Sequence, residues 1–242
     1  MDMKISGSGS VSSGEYENIR ISGSGRLVGF VRCASFHASG SAKGDDIDCK
    51  NELKVSGSTK FETGVRAGSV SVSGSFSCGG ELCVQEKLSV SGSVKCGGSV
   101  KCMQLHASGA MHVTGDVEAE RVGVSGILNC GGLLNGEEID ICFDRGMEIG
   151  SVGGSKIAIY PNEKRARKQR LALLSSLIKN TGGNVVVKGD IEGDSIALEN
   201  VAAQRVSGRV VAIGEGCEIE LVQYSEEVEI SPDAKVGRTE KI

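Results

Sequence analysis

The chain has 242 residues, 36 of them glycine, only 3% aromatic and none tryptophan, with a net charge of −4. That balance gives no general attraction to nucleic acid or anionic lipid, and no run of eighteen apolar residues is present to form a spanning helix. Hydrophobic residues make up 39% and fall at regular intervals, which excludes a disordered linker.

In chain order, the first residues, Met1 to Ser6, contain no apolar stretch of signal-peptide type. The nine cysteines are therefore expected as reduced thiols in the cytoplasm. From Ile5 onward one motif, aliphatic-Ser-Gly, repeats. Its glycines are Gly7, Gly23, Gly40, Gly57, Gly74, Gly92, Gly109 and Gly126, at steps of 16, 17, 17, 17, 18, 17 and 17 residues. Such a period marks a solenoid.

Within each period small and aliphatic residues alternate, as in Leu88, Val90, Gly92, Val94 and Cys96, which predicts short strands with one buried face. Phase shifts at Gly79-Gly80, Gly97-Gly98 and Gly131-Gly132 predict corners that use glycine's positive φ. Three strands and three corners fill a coil of about seventeen residues. Stacked coils put like positions in vertical ladders: Leu27, Gly44, Phe61, Cys78, Cys96, Val113 and Cys130 in one, and Ile21, Ala38, Val55, Val72, Val90, Ala107 and Val124 in another. A coil this narrow leaves no room for Trp and little for Phe. Ser73 with Ser75, and Ser91 with Ser93, are expected on the outside, as stacked hydroxyl columns.

The pattern loosens after Ile141, and Pro161 ends it. Glu163 to Lys179, EKRARKQRLALLSSLIK, holds good helix formers and neither Gly nor Pro. Leu171, Leu174, Leu177 and Ile178 share one face of the predicted helix, and Lys164, Arg165, Arg167, Lys168 and Arg170 crowd its first half. It is expected either to dock on the rod or to lie on an anionic membrane. Coils resume at Val185. The expected plan is a rod over 1–160, a basic amphipathic helix in 161–183 and a second coil segment over 184–242. The expected fold class is thus an all-β parallel β-helix interrupted by one amphipathic α-helix, the two coil segments being either one solenoid or two.

The C-terminal runs Gly189-Asp190-Ile191-Glu192-Gly193-Asp194, Val206-Ser207-Gly208-Arg209-Val210-Val211 and Ile213-Gly214-Glu215-Gly216-Cys217-Glu218-Ile219 resemble the bactofilins, polymer-forming cytoskeletal proteins of bacteria. The resemblance implies a right-handed β-helix, polymerisation through the rod ends without nucleotide, and in some members contact with the inner membrane surface. The chain departs from the family pattern in its near absence of tails and in the basic segment that splits the coils.

The terminal coils of a β-helix expose unpaired backbone groups. Ile5, Val11, Ile19 and Ile21 are the expected polymer interface, while Pro232 and the charged residues from Lys235 to Lys241 are expected to cover the other end. Chemistry is not expected elsewhere. Cys78, Cys96 and Cys130 precede Gly-Gly at a core position and read as packing rather than metal ligands. His37, His106 and His112 are tied to no nucleophile by a local motif. Asp190 and Asp194 read as solvated turn residues rather than the paired carboxylates of a β-helical glycosidase. The serine columns resemble those of ice-binding solenoids, but these favour threonine.

No enzyme activity, metal or cofactor is expected. The expected partner is the chain itself, with cell-envelope or other cytoskeletal proteins also in view, and neither nucleic acid nor a small-molecule substrate. The alternatives are a solenoid that recruits a protein partner and a hexapeptide-type acyltransferase. Strict six-residue phasing, which the latter requires, is absent.

Overall fold

The computed structural model describes residues 1–162 and 184–242. Every element among them is a strand. The fold is therefore an all-β parallel solenoid, and the expectation of a solenoid interrupted by a helix is corrected to that extent. The segment expected to be helical, within 163–183, lies outside the described residues. The chain divides into two compact units, Met1–Glu120 and Arg121–Ile242.

The first unit is made of β1 (Met3–Ile5), β2 (Ser8–Ile21), β3 (Ser24–Ala38), β4 (Ser41–Gly44), β5 (Asp46–Val55), β6 (Ser58–Phe61), β7 (Val65–Val72), β8 (Ser75–Cys78), β9 (Leu82–Val84), β10 (Lys87–Val90), β11 (Ser93–Cys96), β12 (Val100–Ala107) and β13 (Ala110–Val113). Strand β14 (Val117–Val124) contains the division point. The strand pairings are parallel and join residues one coil apart. Ile5 pairs Ile21, Ile21 pairs Ala38, Ala38 pairs Val55, Val55 pairs Val72, Val72 pairs Val90 and Val90 pairs Ala107. The other expected ladder holds from Gly44 through Phe61, Cys78 and Cys96 to Val113. Each of the three sides points two residues inward, so six ladders fill the interior.

Phenylalanine has more room than the coil width suggested. Phe36, Phe61 and Phe76 are fully buried together, Phe36 meeting Phe61 edge-on at 5.9 Å and Phe61 lying 6.2 Å from Phe76. The compensating small residue is Gly44, where a Cβ would come within 3.0 Å of the Phe61 ring. Large and small residues thus alternate up one ladder to keep the coil width constant.

The corner glycines also work differently from expectation. Gly79, Gly80, Gly97 and Gly98 do not have positive φ, which among the described glycines belongs to Gly14, Gly29 and Gly216. They are constrained by the coil beneath instead: a Cβ on Gly79 would sit 2.0 Å from the Glu62 carbonyl oxygen. The same holds at the Ser-Gly corners, where a Cβ on Gly57 would sit 2.0 Å from the Gly40 oxygen. The corner packs backbone on backbone, and the amides follow suit: Ser39 N and Gly40 N both donate to Ile21 O, at 2.9 and 3.2 Å.

The second unit contains β15 (Ile127–Phe143), β16 (Met147–Pro161), β17 (Val185–Val187), β18 (Asp190–Leu198), β19 (Val201–Ile213), β20 (Glu218–Ile230) and β21 (Lys235–Lys241). Ile139 pairs Ile157, Ile157 pairs Ile196 and Ile196 pairs Val211. The chain after residue 183 therefore resumes in register directly on β16. Within this unit the strand stack is continuous on both sides of 163–183.

Candidate functional site

Three features of the first unit are candidates: its first coil, its buried thiols and its outer files of charge. In the first coil, β1 pairs β2 through Met3, Lys4 and Ile5. Among the described residues no strand lies against the opposite edges of β1 and of Ser8–Tyr16. The expected interface residues are less accessible than the sequence implied: Ile5 is 7% exposed, Ile21 1%, and Val11 and Ile19 0%. They pack on the coil above. A charge at Ile19 or Ile21 would disrupt that coil itself rather than report on an interface. What the end offers is backbone.

Gly7 marks this difference. A Cβ on Gly23, Gly40, Gly57, Gly74, Gly92 or Gly109 would strike the carbonyl oxygen of the coil beneath at 2.0 to 2.1 Å. At Gly7 no atom of the described residues lies within 4 Å. Ser22 N and Gly23 N donate to Ile5 O at 2.9 and 3.3 Å. The amides of Ser6 and Gly7, their equivalents one coil earlier, have no such acceptor among the described residues.

At the end of the second unit, β21 pairs β20, and among the described residues no strand lies on its other side. The residues expected to cover that end form its last rung instead. Lys235 donates to Glu218 at 2.7 Å, and Lys241 lies 5.9 Å from the centre of the Tyr224 ring. The basic residues Lys164, Arg165, Arg167, Lys168 and Arg170, with Leu171, Leu174, Leu177 and Ile178, lie outside the described residues.

The buried cysteines are stacked by the repeat. Cys78 is the register partner of Cys96, and Cys33 of Cys49. Cys78 Sγ lies 3.1 Å from Thr63 O, and Cys96 Sγ 3.1 Å from Gly80 O. The thiol–thiol hydrogen bond, with burial, pushes Cys78 and Cys33 well above the ordinary thiol range. Cys130, in the second unit, pairs Ile149. Among the described residues no group of three or more His, Cys, Asp or Glu converges as a metal site would. Thr59 is the buried polar residue of the interior, and its hydroxyl has no hydrogen-bond partner among the described residues.

Outside, register sorts charge into files. One file runs Glu15, Arg32, Asp48, Arg66, Cys83, Lys101. Its signs alternate, with Arg32 3.5 Å from Glu15 and 3.9 Å from Asp48, and Lys101 reaching Glu118 at 3.0 Å. Serines stack as expected: Ser8, Ser24, Ser41, Ser58, Ser75 and Ser93 form one column. His37 lies beside Glu52 at 3.5 Å, and His106 is exposed. Asp190 is not simply solvated, because Arg205 donates to it at 2.6 Å and to Glu192 at 2.7 Å. The sequence shows all these charges. Only the coil register shows which of them are neighbours.

No family model matches the chain, and no solved structure does. It is 32% identical over 111 residues to the uncharacterized protein YhbE of Bacillus subtilis (strain 168), and 27% identical over 112 residues to the uncharacterized protein YhbF of the same organism. Each match covers 46% of this chain, and 44% of YhbE or 42% of YhbF, so the chain spans less than half the length of these relatives. Among the described residues no helix is long and apolar enough to cross a membrane.

Proposed function

We propose that the protein is a non-enzymatic scaffold that assembles with copies of itself by stacking coil on coil through its ends. The observation that carries this is Gly7. Its counterparts are held to glycine by a carbonyl 2.0 to 2.1 Å away, whereas the space beside Gly7 is open. A glycine there, with the Ser6 and Gly7 amides waiting, suits a further coil arriving from another copy. The edge is also unguarded: Ser8-Gly9-Ser10-Val11-Ser12-Ser13-Gly14 has no Pro and no Lys to deter strand pairing.

The last strand of a second copy is a fitting occupant. Strand β21 carries Lys235, Arg238 and Lys241 against Glu240, so two such strands repel each other. The open edge of the first coil carries Asp2 and Glu15 against Lys4. Opposite net signs favour head-to-tail stacking. Assembly of this kind also agrees with the resemblance to the bactofilins.

The test is Gly7→Ala. In the single chain the added methyl meets open space, so unfolding stability should stay within about 0.5 kcal/mol of the parent. Sedimentable assemblies of the parent should disappear in the variant. A variant that pellets like the parent, or a parent that remains a single particle at every concentration and salt tested, refutes the proposal.

A further inference from the structure

The outer file just before the Ser-Gly corner carries like charges in consecutive coils. It runs Lys4, Arg20, His37 and Lys54 in consecutive coils, each the register partner of the next. With strands about 4.8 Å apart, the four side chains line up over about 14 Å. Like charges directly opposite one another in a sheet are destabilising. Two other files of the unit offset their charge: Glu15, Arg32, Asp48 and Arg66 alternate in sign, and Arg26, Lys43 and Lys60 stack as like charges but have Asp45 and Glu62 beside them. Here Lys4, Arg20 and Lys54 make no ion pair with any described residue, and only His37 has a carboxylate beside it, Glu52 at 3.5 Å.

These four residues and the corner serines Ser22, Ser39 and Ser56 line a groove of about 420 Å³. Among the described residues no Asp or Glu lines it. The groove across the same corner is different: Arg26 and Lys43 line it together with Asp45 and Glu62. The chain as a whole is acidic, so the cationic groove is a local feature that net charge conceals.

We infer that this groove binds a linear phosphate polymer, held by charge and by serine hydroxyls and not by any base. A single file of cations along the stack follows a chain-like ligand, one positive side chain per coil. The apolar residues of the groove, Ile21 and Ala38, are 1% and 2% exposed, so nothing is available to insert into a lipid layer. Among the described residues no Phe, Tyr or Trp lines it, so bases lack a broad stacking platform. The groove lies within consecutive coils of one unit and does not depend on assembly.

The probe is fluorescently labelled long-chain inorganic polyphosphate, its anisotropy titrated with the full chain. Three unpaired cations, Lys4, Arg20 and Lys54, predict binding about 20-fold weaker at 200 mM than at 50 mM salt. Arg20→Glu with Lys54→Glu should abolish binding while circular dichroism stays unchanged, because both side chains are exposed. Lys101→Glu, at a cation already paired with Glu118, should leave binding intact.

Mixed-sequence single-stranded oligonucleotides should compete according to phosphate number alone. Four outcomes overturn the inference: parental binding by the double reversal, equal competition by inorganic orthophosphate, a preference for particular bases, or binding to phosphatidylglycerol vesicles without binding to polyphosphate.

Discussion

The two units build the same kind of parallel stack with different means of holding coils together. In the first, the corners do the work. Glycines recur at nearly constant spacing, and each lays its backbone directly on the carbonyl of the coil beneath. In the second, the spacing is irregular. Gly136, Gly154, Gly193 and Gly208 still stack, and the contact loosens along the stack: a Cβ on Gly154, Gly193 or Gly208 would lie 2.2, 2.3 or 2.7 Å from the oxygen beneath.

The second unit ties its outer surface with ions of opposite sign from neighbouring coils: Lys156 with Glu138 at 3.5 Å, Lys188 with Glu148 at 3.0 Å and Arg209 with Glu226 at 2.9 Å. The first unit does the same in the file of Glu15, Arg32 and Asp48 but leaves Lys4, Arg20 and Lys54, beside its serine corner, without an ion-pair partner among the described residues. Exposed ion pairs add little to stability. The difference therefore bears more on what the surfaces bind than on how firmly the units fold.

The corner comparison is tested most severely by Gly57→Ala. With a backbone oxygen 2.0 Å from the new methyl, two coils must separate, and urea unfolding should report a loss of about 3 kcal/mol or more. Gly208→Ala in the second unit should lose about half as much. Equal losses would mean that corner contact does not distinguish the units. Together with the neutral effect expected of Gly7→Ala, the series orders one substitution by the presence of a coil beneath.

The thiols sharpen the comparison through pH, since six of the nine cysteines belong to the first unit. Burial pushes the Cys102 thiol up to about 12 from an ordinary value of 9.0. Between those values the unfolded chain has released this proton and the folded chain retains it. The folded state then binds more protons, so stability falls as pH rises from about 9 toward 12. Urea unfolding at pH 8 and pH 11 should show a larger fall for the parent than for Cys102→Ala. An equal fall in both would place the alkaline sensitivity elsewhere.

The smallest effect concerns Thr59. Its hydroxyl is buried without a partner in a ladder that otherwise holds Gly25, Ala42, Phe76, Val94 and Met111. Thr59→Val keeps the shape and removes the unsatisfied group, which should raise stability by about 1 kcal/mol in thermal or urea unfolding. A destabilised variant would show that the hydroxyl has a partner in solution.

Much of this molecule was legible in its residues. The period, the two ladders anchored at Ile21 and Phe61, the stacked serines and the partnership of Cys78 with Cys96 all follow from spacing, because one parallel coil repeats the register of the last. The site was less legible. Ile5, Val11, Ile19 and Ile21 are apolar and near one end, yet they are consumed by the coil above and leave only backbone exposed. The cations of the groove lie 16 to 17 residues apart in the chain, and each alone is an ordinary surface charge.

The sequence by itself determined that the chain winds into coils and which side chains face inward, since alternation and period are local properties that burial then enforces. Tertiary structure alone decided why the corners must be glycine, where the chain resumes after residue 183, and which charges become neighbours. Those depend on contacts between atoms a full coil apart, and such contacts exist only once the coils are stacked.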